Sequence, residues 1–198
     1  MTEMVQTAEK PQKTRSLSVW LCALLTLCAL VAAWVMKNSV ENRLLLVEQR
    51  GVSAYVPQGW KISRGIAEGS LVFSAKDIFA SYHAYNVHLE PISADMTEKD
   101  VVFMLNLTRS GVSDAYRVLN QEAIKINGKD AYQVNYAYVN AKDMTEAPIV
   151  IEGLNTIFLE GDQALVAGIE AKAEDFSAAM ADYDRFIRSI TYVKGGSK

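Results

Sequence analysis

Ile124-Lys125-Ile126-Asn127-Gly128-Lys129-Asp130-Ala131-Tyr132 is the stretch on which the fold of this 198-residue chain turns. Asn-Gly between two alternating runs is a strong hairpin signal, because a type I′ turn needs positive φ at both central residues. With those two as the loop, Ile126 faces Lys129, Lys125 faces Asp130 and Ile124 faces Ala131. Lys125 and Asp130 then form a cross-strand ion pair. Continued alternation puts Tyr132, Val134, Tyr136 and Tyr138 on one face, with Leu119 and Ala123 opposite them. The tyrosine row reads first as a core or half-buried stripe whose hydroxyls reach water, ahead of a ligand platform.

Upstream, Val52–Val56 alternates and Pro57-Gln58-Gly59 turns the chain before Trp60-Lys61-Ile62. Ser70–Ser74 is a short strand and Tyr82–Ile92 a longer one. In the longer strand the odd positions His83, Tyr85, Val87 and Leu89 form the more apolar face, which is expected to look at the core. Asp95 or Thr97 can cap a helix running to about Ser110. Thr97-Glu98-Lys99-Asp100 resembles a capping box, Val101, Met104, Leu105 and Thr108 are its expected buried stripe, and Gly111 ends it. Downstream, Ile149–Leu159 and Ala164–Ala171 read as strands joined at Glu160–Gln163. A last helix is expected from about Glu174 to Ser189, with Phe176, Met180, Tyr183, Ile187 and Ile190 at helical spacing. Most connections are too short for crossovers, so the fold class is α+β with a mainly antiparallel sheet flanked by helices.

Three of these groups, in order, resemble the PsbP-like family: Tyr55-Val56-Pro57-Gln58-Gly59-Trp60, the hairpin Ile124–Tyr132, and the closing helix from Phe176 through Phe186-Ile187-Arg188-Ser189-Ile190. The resemblance spans about residues 50–192. It implies an antiparallel sheet flanked by helices, and a non-enzymatic role in docking on, stabilising or assembling a larger membrane complex. It carries over no ligand residues. An apolar anchor departs from the soluble extrinsic photosystem subunit for which the family is named.

That anchor is expected from Leu17 to Met36, 20 residues without a charge. A helix of this length rises about 30 Å, the thickness of a hydrocarbon core. Arg15 and Lys37 bound it, and Trp20 and Trp34 sit near its ends, where indoles prefer the membrane interface. A cleaved signal peptide is the rival, with Val31-Ala32-Ala33 as cleavage site. The run exceeds the usual h-region of ~7–15 residues, which favours an uncleaved signal-anchor. Lys10, Lys13 and Arg15 lie closer to the span than Lys37, Arg43 and Arg50 taken together. This favours a cytoplasmic N-terminus and an extracytoplasmic C-terminal domain, as in a bacterial inner-membrane protein facing the periplasm. The organisation read from the sequence is a cytoplasmic tail over 1–16, a transmembrane helix over 17–36, a tether over 37–50, a globular domain over 51–192 and a disordered end over 193–198. Within the tether, Leu44–Val47 could continue the helix or begin the first strand.

The chain holds 20 Lys+Arg against 23 Asp+Glu, for a net charge of -3. That balance argues against a nucleic-acid binder, which normally shows a basic footprint. Its two cysteines, Cys22 and Cys28, both fall inside the span, so thiol catalysis and zinc–thiolate sites are not expected in the domain. No phosphate loop, nucleophile elbow or His-Glu-x-x-His occurs. His83 and His88 should point to opposite faces of their strand, while His88 and Glu90 share one. Asp182 and Asp184, two apart on the last helix, read as a solvated face. No catalytic residue, metal ligand or cofactor is expected. The reading is a membrane-anchored, non-catalytic interaction module in contact with the bilayer through 17–36 and with a membrane protein complex. Pro57, Trp60, His88, Glu90 and the loop 140–148 are its candidate contact surface, with burial in the core as the competing role for Trp60. The other reading is an extracytoplasmic domain that binds lipid or a small ligand along the tyrosine row.

Overall fold

The computed structural model describes residues 14–41, 43–80, 82–141 and 147–194. The tail through residue 13, positions 142–146 of the polar loop and the end from 195 lie outside the described residues. Contacts divide the chain into two units, Met1–Arg43 and Leu44–Lys198. The first is one helix, α1 (Thr14–Glu41), of 28 residues. Within it, Val19–Met36 is long and apolar enough to cross a bilayer, and none of its residues is buried. Trp20 and Trp34 are both exposed.

The second unit opens with β1 (Leu44–Gln49). Residues 44–49, read as part of a tether, are therefore a strand. They pair antiparallel with β2 (Val52–Pro57), Leu44 opposite Pro57 and Gln49 opposite Val52. The turn between them is Arg50-Gly51, with φ of 53° and 77°. This is the same positive-φ pair as a type I′ hairpin, with arginine in the place that Asn usually takes. Arg50 Nη1 donates to the Gly69 carbonyl oxygen at 2.5 Å, which anchors the turn.

Next come β3 (Lys61–Arg64), β4 (Leu71–Lys76) and β5 (Ala84–Pro91). In β5, Tyr85, Val87 and Leu89 are buried, as the alternation requires. α2 (Glu98–Ser110) starts at a true capping box. The Thr97 hydroxyl accepts from Asp100 N and the Asp100 carboxylate accepts from Thr97 N. The buried side of α2 differs from the expected stripe. Val101 and Val102 are buried and Leu105 is partly so, whereas Met104 and Thr108 are exposed. The helix meets the sheet along a four-residue spacing, 101–105–109, that carries Arg109 inward.

The chain continues through β6 (Asp114–Ile126), β7 (Lys129–Asn140), β8 (Ile149–Glu160), β9 (Gln163–Lys172), α3 (Phe176–Ser189) and β10 (Thr191–Tyr192). The β6–β7 hairpin has the expected register, Ile126 opposite Lys129 and Ile124 opposite Ala131. Asn127 and Gly128 both take positive φ. The Lys125 ammonium lies 2.5 Å from the Asp130 carboxylate. Further along, β6 is irregular between Asp114 and Arg117 and between Val118 and Asn120. Ala123 does face Tyr132, but Leu119 falls in the second irregularity and is exposed, so it does not back the tyrosine row.

All strand pairs are antiparallel, in two sheets ordered β1-β2-β10 and β3-β4-β5-β9-β8-β7-β6. The chain must pass from β5, in the middle of the large sheet, to β6 at its edge, and α2 lies in that connection. α2 packs on the face that bears Tyr132, Val134, Ile157 and Val166. α3 packs on the other face, with Phe176, Ala179, Tyr183, Phe186 and Ile187 against Leu165, Ala167, Ile169 and the small sheet's Val52, Ala54 and Val56. The Tyr183 hydroxyl donates to the Ala167 carbonyl oxygen at 2.8 Å.

Candidate functional site

The α2 face of the large sheet holds a charged network. Its floor is a row of facing residues across three strands: Tyr136 on β7, Gly153 on β8 and Glu170 on β9. Because Gly153 has no side chain, the Tyr136 ring can lie across β8, and its hydroxyl donates to Glu170 Oε1 at 2.8 Å. A Cβ on Gly153 would stand 2.5 Å from that hydroxyl oxygen and 2.7 Å from ring Cε2. The next row repeats the device: Asn155 on β8 faces Gly168 on β9, where a Cβ would stand 2.6 Å from Asn155 Oδ1. Glycine inside a strand marks such close approaches.

Arg109, in the last turn of α2, closes the network from above. Its Nη1 donates to Glu170 Oε1 at 3.2 Å and its Nη2 to Asn155 Oδ1 at 3.4 Å. The guanidinium carbon sits 4.2 Å from the centre of the Tyr136 ring. Tyr138 adds a longer bond to Glu170 Oε2, 3.4 Å, and the Tyr116 hydroxyl donates to Asn106 at 2.6 Å. The Arg109 and Glu170 side chains are 24% and 23% exposed. Burial works against the Arg109 charge, but Tyr136 and Glu170 outweigh it and hold its pKa above the ordinary value. Burial first, and Glu170's charge with it, pushes the Tyr136 and Tyr138 hydroxyls up. The tyrosine row is thus filled: Tyr136 is fully buried and its hydroxyl is spent on Glu170. The network fastens α2 to the sheet.

His88 and Glu90 do share this face. His88 Nδ1 lies 4.0 Å from Glu90 Oε1, with side chains 31% and 27% exposed. Ser70 Oγ lies 3.4 Å from the same ring nitrogen. Among the described residues, no three His, Cys, Asp or Glu side chains come together as a metal site. Trp60 is elsewhere, packed against the core on the α3 side. Its ring centre is 4.7 Å from those of His83 and Tyr85, and Tyr85 stacks on Phe186 at 4.4 Å. Pro57, at the end of β2, is partly buried. The sequence reading missed Arg109, Glu170, Gly153 and Gly168. The strand glycines were the available signal, together with an arginine that continues the 101–105–109 spacing.

Burial lowers the pKa of both histidines, against the pull of Asp77, Asp182 and Asp175 on His83 and of Glu90 and Glu170 on His88, where Arg109 adds to the lowering. As pH falls, an unfolded histidine takes up its proton first, near 6.5. Stability is therefore complete above about pH 6.5 and declines as pH drops below it. Urea midpoints of the wild type are expected to fall between about pH 7 and 5.5, and the H83Q/H88Q variant to show a flatter profile. A midpoint that rises on acidification would contradict the buried, neutral imidazoles.

The architecture is that of an α+β domain, a seven-stranded antiparallel sheet with one helix on each face and a small second sheet. The fold is PsbP-like. The solution structure of cyanobacterial PsbP (CyanoP) from Synechocystis sp. PCC 6803 is similar over 76% of this chain and 92% of that one, at 15% identity and a TM-score of 0.60. A point mutant of protein Mog1 is similar over 77% of this chain and 97% of that one, at 12% identity and a TM-score of 0.50. For the Saccharomyces cerevisiae Ran-binding protein Mog1p the values are 76%, 96%, 13% and 0.49. At these identities the shared property is the fold. No protein-family model and no curated protein matches the sequence.

Proposed function

We propose that this chain is a single-pass, membrane-anchored, non-catalytic interaction module, an accessory or assembly subunit of a larger membrane protein complex. The observation that carries the reading is the uncharged and unburied Val19–Met36 stretch of α1, followed only seven residues later, after 37–43, by the first strand of the folded unit. A link that short keeps a domain at the bilayer surface and raises its effective concentration toward membrane partners. In this reading residues 1–16 are cytoplasmic, 17–36 span the membrane, and the domain from β1 onward is extracytoplasmic. The PsbP-like fold and the internally satisfied Arg109–Glu170 network support a docking role over a catalytic one. Trp60 serves packing, and Pro57 borders the same turn. His88 and Glu90 are the proposed contact residues on the large sheet.

The test is purification of the full chain from native membranes in a gentle detergent, with mass spectrometry of what accompanies it. The expected result is a chain that resists carbonate extraction, carries its N-terminal segment, and brings down a stoichiometric membrane complex. Leu25→Arg with Leu27→Arg is expected to move more than nine-tenths of the chain out of the membrane fraction, since each arginine at a span's centre costs about 3 kcal/mol. Glu90→Lys is expected to leave the chain in the membrane and release the complex. Recovery of a shortened, soluble chain would overturn the anchor, and recovery of the intact chain alone would overturn the subunit role.

A further inference from the structure

A second site lies on the opposite side of the large sheet from the network. Between Phe79, Ala80, Tyr82 and His83 on one side and the first half of α3 on the other there is a cleft of about 500 Å³. That volume is in the range of small-ligand pockets. Its lining includes Ala178 and Ala179, the aromatic side chains of Tyr82 and His83, and two carboxylates, Asp175 and Asp182. Seven apart on or beside one helix, they share a face about 10 Å apart along its axis.

Asp175 is the N-cap residue of α3, yet its side chain makes no capping hydrogen bond. Asp182 lies 4.0 Å from Arg185, and both are more than half exposed. Both acids also act on the His83 ring through their charge. Lys172, which lines the cleft too, lies 3.9 Å from Glu174. Beside the cleft, His83 Nε2 and the Tyr85 hydroxyl are buried without a hydrogen-bond partner among the described residues. Phe79, which also lines the cleft, is 92% exposed, an aromatic ring left in water by the fold.

Two carboxylates, aromatic rings and small alanine side chains in one cleft are complementary to one ligand chemistry. Either acid can pair with a protonated nitrogen, the rings attract a cation through their quadrupoles, and the alanines leave room for an apolar stem. We propose that the cleft binds an organic cation, an ammonium or guanidinium head on an apolar or aromatic stem. The head can belong to a free amine or to a basic side chain of a docked protein. The proposal uses neither the span nor His88 and Glu90, so it stands or falls apart from the anchored-module reading.

The test is titration calorimetry of the full chain in detergent with phenethylamine, and with 2-phenylethanol as a neutral analogue of the same shape. Phenethylamine is expected to bind saturably and at least tenfold more tightly than the alcohol. D175N/D182N, two exposed changes that leave the core alone, is expected to weaken the amine at least tenfold and leave the alcohol unaffected. Ala178→Leu puts a bulkier side chain into the lining and is expected to abolish binding of both, while circular dichroism reports an unchanged fold. Equal affinity for amine and alcohol, no loss in D175N/D182N, or no saturable binding of the amine would each overturn the proposal. Agmatine and acetyl-Ala-Arg-Ala-amide separate the sources. A tighter peptide assigns the site to a partner's arginine, and a tighter agmatine assigns it to a free amine. Either ranking upholds the cation site.

Discussion

Arg109→Met is expected to lower the unfolding free energy of the domain by about 3 kcal/mol, the lower end of what removing one partner of a buried ion pair costs. The lower end applies because both side chains keep about a quarter of their surface in water. The loss comes from three places. The Glu170 carboxylate keeps the Tyr136 and Tyr138 hydroxyls but loses the guanidinium paired with it. Asn155 Oδ1 loses its donor on a buried side chain. The Tyr136 ring loses the guanidinium stacked 4.2 Å above it. Methionine keeps the apolar stem length, so the packing of that stem is largely preserved. The decisive comparison is R109M/E170Q. Most of the single variant's cost is an uncompensated charge, so neutralising Glu170 is expected to restore at least half of it. Urea unfolding of the wild type, R109M, E170Q and R109M/E170Q measures this. A double variant as unstable as the sum of the singles would mean the pair is not coupled, and the network would lose its role as the clamp on α2.

What could be read from the residues, and what could not, follows from where the information sits. The β6–β7 hairpin was legible because Asn127-Gly128 encodes its turn within two residues, and register follows from the turn. The β1–β2 hairpin uses the same backbone, but Arg50-Gly51 does not advertise it. Arginine tolerates φ of 53° here because its guanidinium is held by the Gly69 carbonyl, a contact no local pattern reports. This is why the sequence left Leu44–Val47, within the tether, open between the end of the helix and the first strand. The buried side of α2 was misread for a related reason. Met104 and Thr108 fit a helical stripe as well as Val102 does, and only the neighbouring strands decide which way the helix turns. Tyr85, Val87 and Leu89 were placed correctly because alternation alone fixes a strand's two faces. The charged site was out of reach, since its parts come from α2, β7, β8 and β9 and meet only after the sheet is assembled. His88 and Glu90, like Tyr136 and Tyr138, are two apart in one strand, and alternation alone puts each pair on one face.

Gly153→Ala carries the sharpest geometric expectation. Gly153 does not sit in the left-handed region, so its backbone does not require glycine. What requires it is space. The added Cβ would meet the Tyr136 ring at its Cζ, hydroxyl and Cε2 atoms. That ring cannot give way cheaply, because it is fully buried, bonded to Glu170 and covered by Arg109. Displacing it breaks the bond and the stacking together, so the cost is expected at the top of the overpacking range, about 3 kcal/mol. In an ordinary strand the same change is favourable by roughly 0.5–1 kcal/mol, because glycine loses more backbone freedom on folding. The two contributions separate on a background without the ring. Tyr136→Val alone is expected to cost about 3 kcal/mol through its cavity and the lost bond to Glu170. Adding Gly153→Ala to it should then cost nothing, or return a few tenths of a kcal/mol. A substitution whose effect changes sign with the residue on the neighbouring strand is the signature of a steric pair. If Gly153→Ala destabilises Y136V as much as it does the wild type, the glycine serves the backbone of β8. The passage of Tyr136 across that strand would then not be what holds Glu170 in place.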